Sequence, residues 1–225
     1  GTRRRRVLSA AQETYWLDDR TLIYQPLDHL SLWAVDVETR QTRKLFDWSV
    51  ITPRGHAGEP RLSPDRKRLL CNPQNGARAH TADVFVCDLD GKNVRVVWED
   101  AEDPNDSDSG IADHFLIWLG NDRVAWCRHA RPGNRVPDMA IVTCHVGDTN
   151  LQALTGWKGY NYPLAASPDG QRLLYVTEDH PGLGQPELWT MNLDGTGKTN
   201  LPGLLRGRKF GGDFGVSARW VQLRR

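Results

Sequence analysis

The chain has little net charge, few cysteines and no long apolar run, and each shortage removes a class of function. Across 225 residues, 29 Lys and Arg face 28 Asp and Glu, leaving a net charge of +1. So balanced a chain lacks the overall basic field of a nucleic-acid binder, and no nucleic-acid partner is expected. No apolar run approaches the roughly 18 residues a membrane span needs. No signal-peptide pattern is visible, although the first residue is Gly rather than Met, which leaves an export signal ahead of it open. The four Cys show neither Cys-x-x-Cys nor haem-attachment spacing. The Gly-x-Ser-x-Gly elbow of a serine hydrolase is missing, and Gly211-Gly212-Asp213-Phe214-Gly215 follows no βαβ pattern that would make it a phosphate cradle. No catalytic residue and no cofactor is expected on this reading.

What the chain does have is a repeat. From Leu32 to Leu45, Val84 to Val97, Ile141 to Leu154 and Leu188 to Leu201 the interval is thirteen positions each time. A fixed spacing is the test a repeat must pass. Within it Trp33, Phe85, Val142 and Trp189 form one column, Val35, Cys87, Cys144 and Met191 a second, and Asp36, Asp88, His145 and Asn192 a third. Ahead of each lies a short apolar run: Leu22-Ile23-Tyr24, Leu69-Leu70-Cys71, Val124-Ala125-Trp126 and Leu173-Leu174-Tyr175. Each follows a turn, at Asp18-Asp19, Ser63-Pro64-Asp65, Gly120-Asn121-Asp122 and Ser167-Pro168-Asp169-Gly170. Runs this short between such turns read as antiparallel strands, four per unit, here labelled a to d.

Four-stranded units at a period of roughly 40 to 55 residues are the sequence form of propeller blades. The fold class expected is therefore all-β: a β-propeller of four-stranded antiparallel blades, four recognisable and one partial, forming an open arc or an incomplete ring. The blades fall at about 15–49, 56–98, 112–155 and 159–202, between a basic arm (1–14) and a basic tail (203–225) with one extra strand around Phe214 to Val221. Nine Trp suit the widening gap between radiating sheets. Cys87 and Cys144 occupy a core column, so free buried thiols are expected, with Cys71–Cys87 and Cys127–Cys144 bridges the alternative.

The Ser-Pro-Asp-Gly turn, the Leu-Leu-Tyr strand and the Leu188-Trp189-Thr190-Met191-Asn192-Leu193-Asp194-Gly195 hairpin resemble the WD-like repeat of TolB-type β-propellers, over about residues 15–202. Repeats without a catalytic motif, basic extensions at both ends and a blade count that wants a partner point to a non-catalytic protein–protein interaction or scaffold module, an accessory subunit of a larger assembly; the resemblance implies an envelope-associated, periplasmic setting, with a cytoplasmic one the alternative. The partners expected are other protein subunits, and an anionic membrane surface through the arms. Arg3, Arg4, Arg5, Arg6, Arg206, Arg208, Arg224 and Arg225 are the residues that would grip them.

The rival reading is chemical. Each b–c loop carries a histidine, and Asp113-His114-Phe115 with Trp118 resembles the oligogalacturonate lyase pattern of a His before an aromatic a strand. That resemblance implies a metal-dependent polysaccharide lyase or hydrolase with His29, His114, His129 and His180 as metal ligands. The short His-x-His cluster expected of that family is absent. The acidic stretch from Glu99 to Ser109 fits a solvated loop better than a calcium loop, because Gly110 comes too late and no closing Glu follows.

Overall fold

The structure, a computed structural model, describes residues 7–8, 11, 13–51, 56–74, 84–98, 114–129, 138–148, 150–178 and 186–202, with backbone only at 56–59, 73, 74, 114 and 129. The first sheet holds β1 (Glu13–Trp16), β2 (Thr21–Gln25), β3 (Ser31–Asp36) and β4 (Thr42–Asp47). The second holds β5 (His56–Leu62), β6 (Arg68–Gln74), β7 (Val84–Asp88) and β8 (Arg95–Trp98). The third comprises β9 (His114–Trp118), β10 (Arg123–His129), β11 (Met139–His145) and β12 (Gln152–Ala153). The fourth comprises β13 (Tyr160–Ala166), β14 (Arg172–Glu178), β15 (Glu187–Asn192) and β16 (Thr199–Asn200). Every sheet is antiparallel with its strands in chain order, which is the blade expected from the turn chemistry. β1 begins at Glu13, so the first blade takes in two residues of the stretch that reads as an arm. No helix among the described residues is long and apolar enough to cross a membrane.

The Ser-Pro-Asp turns show why those residues recur. In blade two the Ser63 hydroxyl oxygen accepts from the Arg68 amide at 2.9 Å, and Asp65 Oδ1 receives the Ser63 hydroxyl at 2.6 Å. Blade four repeats the arrangement with Ser167, Arg172 and Asp169. The fourth turn residue is left-handed in both, at φ 60° for Arg66 and 66° for Gly170. Glycine adopts that conformation without penalty, whereas Arg66 tolerates it at a cost.

Three core clusters lie between consecutive blades. Ile23, Leu32, Ala34 and Phe46 of blade one meet Leu69, Cys71, Phe85 and Cys87 of blade two. Leu70, Val84, Val86 and Val97 from the other face of blade two meet Trp118, Val124, Trp126, Val142 and Cys144 of blade three. Ala125, Ile141 and Leu154 of blade three meet Leu173, Tyr175 and Met191 of blade four. Alternate residues of a strand thus enter different cores, which is why the strands carry apolar residues on both faces. Phe85 and Cys87, Val142 and Cys144, and Trp189 and Met191, from the first two repeat columns, face the preceding blade. No core cluster and no strand pairing among the described residues joins blade four to blade one.

All four cysteines are buried and none is in a disulfide. Cys71 and Cys87 share the first cluster, and burial together with Cys87 pushes the Cys71 thiol well above its ordinary range. A Cys127–Cys144 bridge is excluded by strand parity. Cys144 faces blade two, whereas Cys127 follows Trp126 by one position and so turns to the opposite face. A thiol reagent at pH 8 is expected to modify none of the four in the folded protein and all four in denaturant. Burial, helped by Asp148 and opposed by Arg123, raises Cys144 from 9.0 to about 11. Because this pKa is higher in the folded chain, the thiol's contribution is complete below pH 9 and is lost as pH rises through 11. Urea midpoints should therefore fall across that window, and Cys144→Val should flatten part of the fall; a flat alkaline profile in the parent would contradict the burial.

Candidate functional site at the inner strands and the loop rim

In a propeller the a strands line the axis and the b–c and d–a loops form one rim, so the site must be sought there. Three of the four a strands are bulged at the same place. Between Gly58 and Arg61, between His114 and Ile117, and between Pro163 and Ala165, one extra residue stands opposite the b strand. A bulge bends its strand and re-aims the side chain beside it. Phe115, at φ 58°, sits in the blade-three bulge and meets Tyr162 of blade four edge-on, with ring centroids 4.7 Å apart. Tyr160 continues this aromatic wall at 5.6 Å.

Arg61, immediately after the blade-two bulge, ties three blades together. Its Nη1 donates to Tyr15 Oη at 2.7 Å and to Glu13 Oε2 at 3.1 Å on blade one. Its Nε donates to the Leu116 carbonyl at 3.2 Å on blade three, and its own carbonyl accepts from Trp118 Nε1 at 2.9 Å. The Tyr15 hydroxyl donates to Glu13 Oε2 at 3.1 Å. Burial raises the Tyr15 phenol well above its ordinary range despite the adjacent guanidinium, so the group remains a donor at neutral pH. Burial likewise raises Tyr162, with Cys127 adding to the effect. This cluster can hold strands in register. It offers a reacting atom neither a free base nor a paired nucleophile, because its polar groups already serve one another.

His29, His114 and His129 lie at the loop rim. His29, at φ 57°, occupies the b–c turn of blade one with its amide donating to the Pro26 carbonyl at 3.1 Å. His114 opens β9 opposite Cys127, and His129 closes β10 opposite Met139, so the backbone brings these two to one end of one sheet. His180 lies outside the described residues, as do the side chains of His114 and His129. Among the described residues no three His, Cys, Asp or Glu side chains are grouped to hold a metal ion. Arg3, Arg4, Arg5, Arg6, Arg206, Arg208, Arg224 and Arg225 also lie outside the described residues.

The opposite rim, formed by the a–b and c–d turns, carries contacts between blades that the motif search missed. Arg68 Nη2 donates to the Asn121 carbonyl, its guanidinium lies 5.4 Å above the Trp118 ring, and Asn121 Oδ1 accepts from the Asp65 amide at 3.0 Å. Arg123, at the same position of blade three, donates from Nη2 to the Leu193 carbonyl of blade four at 2.8 Å. The signal was an arginine opening three of the four b strands, at Arg68, Arg123 and Arg172.

No family model matches the chain, and no curated protein matches it. Solved structures do. An oligogalacturonate lyase in complex with manganese superposes with a TM-score of 0.61 at 16% identity, covering 82% of this chain and 50% of the other. A protein assigned as TolB from Agrobacterium tumefaciens gives 0.60 at 15% identity, covering 83% and 60%. A nidogen/laminin complex gives 0.53 at 14%, covering 83% and 62%. At these identities the likeness shows the propeller fold alone. The chain spans about half to three-fifths of the length of these neighbours.

Proposed function

We propose that this chain is a non-catalytic β-propeller module for protein–protein interaction, an accessory or scaffold subunit of an envelope-associated assembly with a periplasmic setting. The observation that carries the reading is the inner wall, where Arg61, Glu13, Tyr15 and Trp118 hold three blades together through one another. Charged groups at the axis act as struts. Recognition then falls to the loops and the arginine-rich ends, where Arg3, Arg4, Arg5, Arg6, Arg206, Arg208, Arg224 and Arg225 supply charge complementarity and steering toward acidic subunits. Propeller neighbours whose names include TolB and a nidogen/laminin complex support an interacting role.

The test is neutralisation of the arms. Replacing those eight arginines by Gln should abolish co-purification of the partner subunits from an envelope extract at moderate salt, with the thermal transition unchanged. Retained co-purification would sink the reading. Sedimentation with vesicles containing anionic lipid reports whether a membrane surface competes for the same arms.

A second reading, a manganese- or other metal-dependent lyase, draws on the lyase neighbour and on the shared rim position of His114 and His129. His29 and His180 would complete that set. Elemental analysis of chelator-free protein decides between the two: a stoichiometric transition metal lost in His114→Ala would displace the interaction reading.

A further inference from the structure

We propose that the outer edge of blade two is a docking strand: β8, with Val94 leading into it, takes up an extended acidic segment of a protein partner as an added strand. In each blade the d strand is outermost, so one side of it has no neighbour within the sheet, and alternate residues turn their amide and carbonyl to that side. Such a row of unsatisfied groups is a template for pairing unless something blunts it. Among the four d strands described, three are blunted. β4 presents Thr42, Arg43 and Lys44 to solvent, and neighbouring cations on an edge discourage a further strand. β12 and β16 are two residues long, too short to template a ladder.

β8 has neither protection. Val94 and Val96 stand 43% and 56% exposed on it, although β-branched side chains in sheets ordinarily find something to pack against. Two positions apart in extended chain, they line one face. Val96 lies opposite Phe85, on the side turned toward blade one, whereas Val97 is buried in the core between blades two and three. That core fixes β8 from behind, and the Arg128 guanidinium, 4.3 Å from the Trp98 ring, covers its far end. The edge is thus held in place without being covered.

Backbone and charge together select the occupant. Outward amides and carbonyls are met in register only by another extended chain, and Val94 and Val96 call for apolar residues on the same face of it. Arg95, between them, is exposed, and its guanidinium makes no hydrogen bond or ion pair among the described residues. The nearby Lys92 ammonium is already held by Asp90 at 3.0 Å. A segment that alternates apolar with acidic residues therefore fits this edge. A second copy of the chain does not, because antiparallel pairing of β8 with β8 centred here brings Arg95 against its own counterpart. A lipid surface has no backbone with which to pair. The contact lies on blade two, apart from the arginine-rich ends, and so adds to the interaction role proposed above.

The experiment is fluorescence anisotropy of the full chain with a labelled peptide of alternating Val and Glu, and with a Val and Lys peptide for comparison. The parent should bind the Val and Glu peptide about tenfold or more tightly than the other, and Arg95→Glu should reverse that preference. Val94→Ser with Val96→Ser, both at exposed positions, should weaken binding about tenfold with an unchanged circular-dichroism spectrum. The same peptide N-methylated at every amide should not bind, since it has no N–H to donate to the edge. Failure of the parent to bind, binding that survives N-methylation, or indifference to Arg95→Glu or to the paired serine substitutions would each overturn the proposal. So would a parent dimer dissociated by the serine substitutions, which would give the edge to a second copy. The chain with its eight terminal arginines replaced by Gln should bind the peptide as the parent does; loss of binding there would assign the probe to the arms and not to β8.

Discussion

Trp126→Ala is expected to lower stability by about 3–5 kcal/mol and the thermal midpoint by roughly 10 °C. The indole is fully buried in the wedge between blades two and three, against Leu70, Val84 and Val86 on one side and Val142 on its own sheet. Sheets that radiate from an axis separate as they leave it, so a large side chain is needed to fill the outer gap, and the rigid sheets on either side cannot collapse into the space it leaves. Trp157→Ala, at a site 40% exposed, should cost far less. A further comparison isolates volume from polarity. The Trp126 Nε1 hydrogen finds no acceptor, so Trp126→Phe loses volume but also removes a buried unsatisfied donor, and should cost less than ~1.5 kcal/mol. Urea unfolding of the three variants measures this. If Trp126→Ala cost no more than Trp157→Ala, the blades would not be stabilised by burial against one another.

Gly91→Ala is expected to cost about 2–4 kcal/mol, more than a hairpin turn by itself suggests, since Gly91 is buried. Gly91 has φ +77°, which an Ala side chain resists, and a Cβ there would stand 2.8 Å from Phe46 Cγ and Cδ2 on blade one. Phe46 is itself held edge-on against Trp48 at 4.7 Å and has nowhere to withdraw. Gly195 repeats the contact, with its Cβ position 3.0 Å from the Leu154 carbonyl of blade three. Gly170 supplies the control: its φ is +66°, but nothing lies within 4 Å of its Cβ position. Gly170→Ala should therefore cost only the backbone term, about 1 kcal/mol. Equal urea midpoints for the two variants would show that the turn does not seat on the neighbouring blade.

The two glycines mark the limit of what was legible. Asp194-Gly195 read correctly as the turn of a hairpin, since a left-handed φ is a local demand and leaves a local signature. That each turn also seats on the preceding blade is a long-range fact with no signature of its own. The same division separates the cysteines. Cys71 and Cys87 were placed on one face by their columns, whereas Cys127 is one step out of the column that Cys71 shares with Trp126, and one step in a strand reverses the face. At the candidate site, the histidines were visible because loop residues are read directly. The Arg61 cluster was not, because it joins residues from three blades across an a strand whose bulge has no turn motif to announce it.

By itself the sequence determined the four hairpin units, their turns and the columns that become the inter-blade cores, because strand alternation and turn geometry are settled within a few residues of chain. Only the tertiary structure decided which column meets which blade, that no core among the described residues joins blades four and one, and that Arg61 serves the walls of the axis. Those outcomes depend on how whole sheets splay and twist against one another, and on bulges that re-aim single side chains. That geometry belongs to the assembled layers rather than to any stretch of residues.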